Sequence, residues 1–389
     1  MSKPKIIAFY LPQYHPIPEN DKWWGKGFTE WTNVGKAMPL FKGHEQPRVP
    51  ADLGYYDLRL PEVRESQAEL AKEAGIYGFC YWHYWFGNGK TLLSEIIEEV
   101  VKSGKPDFPF CLGWANHDWS RRTWNIDKSK NKNELLIKQS YPGKQDMIDH
   151  FYNILPIIKD KRYIKIDNKP IFLVFKPLDI PNCEEFISTW NELAIKEGLN
   201  KFFFVGISES IGINIKDHIF NFKQTITNPD ITFQKIFEKG FDAINSRGTL
   251  NAKLHYHNKF IYLFKRILES FLRQFFSINL LQKYKYKKLI RSIFVEQDKK
   301  ENVIPTIIPN FDRSPRGGKK ADIWYKNDPK AFKFHVKKAF DLISHKKNKI
   351  LFLMSWNEWG EGNYMEPDLK YGKEYLNALS EALDEHTTK

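Results

Sequence analysis

The stretch Lys5-Ile-Ile-Ala-Phe-Tyr-Leu-Pro-Gln-Tyr-His-Pro16 decides between two α/β architectures. From Ile6 to Leu11 it is apolar without interruption, the pattern of a strand buried on both faces. A doubly wound nucleotide-type sheet would follow such a strand with a Gly-rich turn. Here the strand runs into Pro12-Gln13-Tyr14-His15-Pro16, which has no glycine and offers polar and aromatic groups instead.

Seven further short apolar segments repeat the signal: Ile76–Phe86, Phe108–Ala115, Pro170–Phe175, Phe202–Ile207, His218–Phe222, Val303–Pro309 and Ile350–Trp356. Helical periodicity lies between most of them, as in Pro61–Ala74, Leu92–Ser103, Gln145–Lys159, Cys183–Glu197 and Ala331–Ser344. Strand–helix alternation implies parallel strands with crossovers. Eight such units predict an α/β fold, a single (β/α)8 TIM-type barrel over residues 1–389, a size that barrels reach as one domain.

Polar and aromatic residues gather after these strands, where barrels build their sites. Gln13 and Tyr14 follow the first, and Tyr10 ends it; His83 and Tyr84 end the second. Trp114, Asn116 and His117 stand at the third, Asp312 and Arg316 after the seventh, and Asn357, Glu358 and Glu361 after the eighth. The long first loop, 16–60, has few helix or strand signals but carries Glu30 and Trp31. Loops of that length are functional or disordered, and aromatic content argues against disorder. Each of these side chains has a second reading. The aromatics serve equally as core, Asn116 and His117 as part of a cap, and Asp312 with Arg316 as an ion pair positioning a loop.

The alternation breaks between strands six and seven, over 225–300. There Phe260, Leu263, Phe264, Ile267, Leu268, Phe271, Leu272, Phe275 and Phe276 recur at helical spacing. Residues 253–291 hold ten Lys or Arg against a single acid, Glu269, so +9 of the chain's net +13 sits in this segment. The rest is close to balanced, which argues against a nucleic-acid partner. This basic amphipathic helix either packs its apolar side on the barrel or rests on an anionic membrane surface.

The stretch Ser355-Trp-Asn-Glu-Trp-Gly-Glu-Gly-Asn363 places two glutamates three residues apart, just past a strand. In a helical turn their Cβ atoms would lie about 5–6 Å apart. Neighbouring like charges push two pKa values apart, so one carboxyl can give a proton while the other takes one. Breaking a glycosidic bond needs such a pair, and carboxyls about 5–5.5 Å apart fit retention of configuration. The 12 Trp and 15% aromatic content add faces on which sugar rings can stack.

Six stretches carry a resemblance: Ala8-Phe-Tyr-Leu-Pro-Gln-Tyr-His15, Gly27-Phe-Thr-Glu-Trp-Thr-Asn33, Gly78-Phe-Cys-Tyr-Trp-His-Tyr-Trp85, Trp114-Ala-Asn-His-Asp-Trp119, Asn310-Phe-Asp-Arg-Ser-Pro-Arg316 and Trp356-Asn-Glu-Trp-Gly-Glu-Gly-Asn-Tyr-Met-Glu-Pro367. They resemble the WbsX family of bacterial polysaccharide-biosynthesis proteins, related to the endo-α-mannosidases and endomannanases of glycoside hydrolase family 99. The resemblance fades between about 210 and 300. It implies that Glu358 takes the proton of a sugar 2-hydroxyl, which attacks C1 and forms a 1,2-anhydro sugar. It implies that Glu361 protonates the leaving oxygen and later activates water, with no cofactor and no metal. WbsX proteins are described as glycosyltransferases, so transfer from an activated donor is the alternative, with a non-catalytic glycan-binding barrel as a third reading.

Other motifs are absent. No Asp-x-Asp is present to hold a nucleotide-sugar metal, and no HExxH or paired-Cys site appears. Gly89-Lys90-Thr91 imitates the end of a P-loop, but position 84 is Tyr where Gly is needed. Cys80, Cys111 and Cys183 make no CxxC pair, which fits a reducing compartment. No leader or membrane-spanning run is visible. The expectation is a cytoplasmic protein, peripheral on the inner leaflet, acting on an oligosaccharide or lipid-linked glycan in surface-polysaccharide (O-antigen or capsule) synthesis.

Overall fold

The computed structural model describes residues 3–121, 134–209, 229–276 and 278–388. Eight parallel strands close into a barrel: β1 (Lys5–Tyr10), β2 (Gly78–Trp85), β3 (Phe110–Trp114), β4 (Lys169–Val174), β5 (Phe203–Ser208), β6 (Ala243–Ser246), β7 (Val303–Ile307) and β8 (Ile350–Leu353). Closure is made by β1, which pairs with β2 through Ile7 and Gly78 and with β8 through Lys5 and Ile350. Strands buried on both sides need apolar residues at nearly every position, and β1 supplies Ile6, Ile7, Ala8 and Phe9 with no exposed surface.

The sixth strand differs from expectation. It is Ala243–Ser246, while the segment His218–Phe222 lies outside the described residues. The stretch 225–300 thus contains a barrel strand, and the helical excursion between β6 and β7 begins at Thr249. The first loop also folds further than its sequence signals, into helices α1 (Pro18–Trp24) and α2 (Glu30–Gly35).

Crossover helices α3 (Pro61–Glu73), α4 (Glu95–Ser103), α5 (Lys144–Ile158), α6 (Cys183–Lys196) and α7 (Pro229–Glu238) cover the barrel. Helices α8 (Thr249–His257) and α9 (Lys259–Phe276) form the excursion. Two short helices, α10 (Tyr286–Leu289) and α11 (Ser314–Gly317), precede α12 (Pro329–Ile343) and α13 (Glu374–Thr387). Helix α12 shows the ordinary logic. Asp328 caps it by accepting from the Ala331 amide, Pro329 opens it, and Phe332, Val336, Ala339, Phe340 and Ile343 bury one stripe against the barrel.

Candidate active site

Past β8 the chain makes a tight hairpin. Asn357–Glu358 pair antiparallel with Asn363–Tyr364, and Trp359–Glu361 form a single 3-10 turn between them. Three anchors hold it to β1 and the loop after it. The Leu11 amide donates to Asn357 Oδ1 at 2.7 Å, Asn357 Nδ2 donates to the Leu11 carbonyl at 3.0 Å, and the Tyr14 hydroxyl donates to the Asn357 carbonyl at 2.6 Å. Both glycines of the turn are required. Gly362 has φ 55°, and Asp312 occupies the space beside it. At Gly360 the carboxylate of Glu30 lies where a Cβ would stand.

Arg316, on α11, joins the acids. Its Nη2 donates to Glu30 Oε1 and to Glu358 Oε1, both at 2.6 Å, and its Nη1 donates to Glu361 Oε1 at 2.9 Å. Arg313 Nε makes a second ion pair with Glu361 at 3.0 Å. Glu30 is fully buried, whereas the other two side chains keep 13% and 20% of their surface, enough to meet a ligand. Burial pushes the Glu358 carboxyl well up; Arg316 opposes this, and the neighbouring Glu361 and Glu30 charges add to the rise. Burial also pushes Glu361 up, but Arg313 and Arg316 together hold it below the usual carboxylate range. The two carboxyls are thus shifted in opposite directions, Glu358 up and Glu361 down. Glu30 is raised by burial against the opposing Arg316.

The structure brings Glu30, Tyr84, Arg316, Glu358 and Glu361 together. The Tyr84 phenol is pushed up by burial and then by the nearby Glu358 carboxylate. Tyr14, Trp31 and Asn357 support the turn; Trp31 donates to the Tyr56 carbonyl and packs on Tyr14 and Trp359. Gln13 is buried, and its carbonyl accepts from the Glu30 amide. Three expected subsite residues face the helix layer instead. Tyr10 bonds Gln67 of α3, His83 bonds His150 of α5 at 2.9 Å, and Trp114 packs on His150 and Phe186. Burial pushes His83 down to about 3, so it stays neutral.

Asp312 and Arg316 do not pair with each other. Asp312 instead accepts from Gln46 at 2.8 Å, meets His44 at 2.8 Å and caps the Ser314 amide, tying the first loop to the seventh. Asn116 links the ends of β3 and β4 through the Lys176 backbone. His117 is half-buried against Phe175.

Sequence reasoning missed a cluster beside Glu361. Arg247, just past β6, lies over the rings of Phe175, Phe9 and Trp82 at 5.2, 5.5 and 6.0 Å, and its Nε is buried without a hydrogen-bond partner. Trp82 and Phe175 are half-buried there. Strand periodicity was the available signal for Trp82, since it shares a strand face with Tyr84 and His83 does not. Arg247 was hidden by the displaced sixth strand. Among the described residues no group of three or more His, Cys, Asp or Glu is placed to hold a metal ion.

The architecture is that of family 99-like barrels. A solved structure described as a glycoside hydrolase-like protein superposes with a TM-score of 0.61 at 14% identity, covering 98% of this chain and 94% of its own. The family 99 endo-α-mannosidase of Bacteroides thetaiotaomicron superposes at 0.51, again at 14% identity, covering 98% and 97%. At that identity the likeness is one of fold. The chain belongs to the family described as glycosyltransferase WbsX, which matches residues 6–379. Two proteins designated WxcX, from two strains of Xanthomonas campestris pv. campestris, are 30% identical over 391 residues, which is 97% of this chain. The chain spans about half, 49%, of the length of these curated relatives.

Proposed function

We propose that this chain is a carbohydrate-active enzyme that makes or breaks a glycosidic bond with Glu358 and Glu361 as its acid–base pair. The observation that carries the reading is the single guanidinium of Arg316 joined to both carboxyls, which differ in their surroundings because Arg313 pairs with Glu361 as well.

The chemistry follows the family 99 pattern. Glu358 takes the proton of the sugar 2-hydroxyl while O2 attacks C1. The bond from C1 to the leaving oxygen breaks, and Glu361 protonates that oxygen. Water or a sugar hydroxyl then opens the 1,2-anhydro ring at C1 and gives its proton to Glu361, while O2 takes its proton back from Glu358. Configuration at C1 is retained. These shifts run opposite to the roles, since the base must be ionised and the acid protonated when the reaction starts. A sugar that draws Arg313 and Arg316 away from Glu361 raises that carboxyl's proton affinity. The description of the WbsX family as glycosyltransferase favours a sugar hydroxyl as the second nucleophile, and the setting proposed for it is a lipid-linked glycan of a surface polysaccharide in the cytoplasm.

Purified protein incubated with lipid-linked oligosaccharides, with and without sugar nucleotides, tests the reading. Wild type converts the glycan without a nucleotide donor. Glu358→Gln and Glu361→Gln each lose about 10²–10⁴-fold in turnover. An activated leaving group restores Glu361→Gln more than Glu358→Gln; the opposite pattern would move the acid role to Glu358. Strict dependence on a nucleotide donor, or unchanged turnover in either variant, overturns the reading.

A further inference from the structure

Helix α9 is mounted with its apolar side outward. Ile261, Phe264, Leu268, Phe271 and Phe275 recur every three or four residues, so they form one stripe, and all are exposed. Phe264 and Phe275 keep 66% and 64% of their surface. Among the described side chains, those turned to the body are Tyr262 and Glu269. Tyr262 packs on Leu254 and Leu250 of α8, and Glu269 is buried, accepting from Arg266 at 2.7 Å and from Gln282 at 3.2 Å. A helix that only completed a core would be rolled the other way, as α12 is. Contiguous exposed apolar surface of this kind marks an interaction site.

Charge identifies the occupant. The Glu269–Gln282 contact sets the start of the basic run beside α9, and Lys283, Lys285, Lys287 and Lys288 are exposed there, with Lys265 on the helix itself. A second copy of the chain would bring the exposed Lys265, Lys283, Lys285 and Lys288 of each copy face to face, and like charges oppose that pairing. An anionic lipid surface matches both properties, taking the phenylalanines into the headgroup boundary and the lysines at the phosphates. No helix among the described residues is long and apolar enough to cross a membrane, so α9 would lie in the interface plane.

We propose that the outward stripe of α9, with the flanking run Lys283–Lys288, is a seat for an anionic bilayer surface. It would hold the barrel against a membrane from which a lipid-linked glycan could be drawn. The stripe is independent of the chemistry assigned to Glu358 and Glu361.

Sedimentation with vesicles of phosphatidylcholine, alone or mixed with phosphatidylglycerol, tests it. Wild type pellets with the anionic vesicles at low salt and is released at high salt. Each lysine near the surface contributes about fivefold to partitioning. Charge reversal of Lys283, Lys285, Lys287 and Lys288 therefore weakens binding steeply, and a Phe264→Ser, Phe271→Ser, Phe275→Ser variant loses about tenfold or more. Circular dichroism confirms that both variants are folded. Failure of wild type to bind anionic vesicles at low salt, equal binding by the serine variant, or a stable dimer that hides the stripe each overturns the proposal. Turnover is not read here, so any of these leaves the acid–base assignment standing.

Discussion

The catalytic-face turn and helix α9 break the usual distribution of polar and apolar groups in opposite senses. The turn takes three carboxylates and an arginine out of water. Helix α9 leaves a row of phenylalanines in it. A buried charge network is weak evidence for stability, because desolvation offsets much of the Coulomb attraction. An exposed apolar stripe contributes nothing to a core either. Neither region is explained by folding alone, and such violations are where function is expected. They differ in what holds them. The turn is fixed by hydrogen bonds from Leu11 and Tyr14, while among its described side chains α9 rests on a buried tyrosine and an ion-pair network.

The largest stability change should come from the turn. Arg316→Gln leaves Glu30 buried without its cation and should cost about 3–5 kcal/mol in chemical denaturation. Glu30→Gln in the same chain should recover part of that loss. Equal stability of Arg316→Gln and wild type would mean that the carboxylates are not paired in solution.

A smaller effect is expected from Glu366, which accepts from Trp359, Tyr56 and Gln67 beneath the turn. Burial pushes its carboxyl from the usual 4.5 up to about 7. The folded state therefore holds this proton more tightly than the unfolded chain does. That stabilisation is complete below about pH 4.5 and is lost as pH rises through 7. Against Glu366→Gln, wild type should lose on the order of 3 kcal/mol across that window. Parallel profiles for the two proteins would show that Glu366 ionises normally.

Least of all should come from α9. The triple serine variant at Phe264, Phe271 and Phe275 should unfold within about 0.5 kcal/mol of wild type, as surface substitutions do. A loss of several kcal/mol would mean that the stripe is buried in solution, which removes the contrast between the two regions.

Most of the barrel was legible because seven of its strands are apolar runs with helices between them. The exception, Ala243-Ile-Asn-Ser246, shows why. Asn245 is fully buried and donates to the Ile304 carbonyl and to Thr306 Oγ1. Hydropathy cannot distinguish a bonded polar group in the lumen from a loop residue. The site was legible as a set of strand ends but not as a set of directions. His83 and Tyr84 are adjacent, so only one of them could face the reacting groups. The partners of Arg316 come from residues 30, 358 and 361, and no local spacing links Glu30 to the other two. For α9 the amphipathic pattern was plain, yet a pattern gives a helix a stripe without stating which way the stripe points.

The pairing of β1 with β8, and of Leu11 with Asn357, has a consequence for synthesis. Strand β1 precedes its partner β8 by about 345 residues. At translation rates of about 5–20 residues per second, that interval is on the order of tens of seconds. Until then neither Glu358 nor the hairpin that aims it exists, so a nascent chain still short of β8 carries no assembled acid–base pair. Helix α9 emerges well before it. Were α9 the bilayer seat proposed above, a nascent chain would present it before the acid–base pair is assembled.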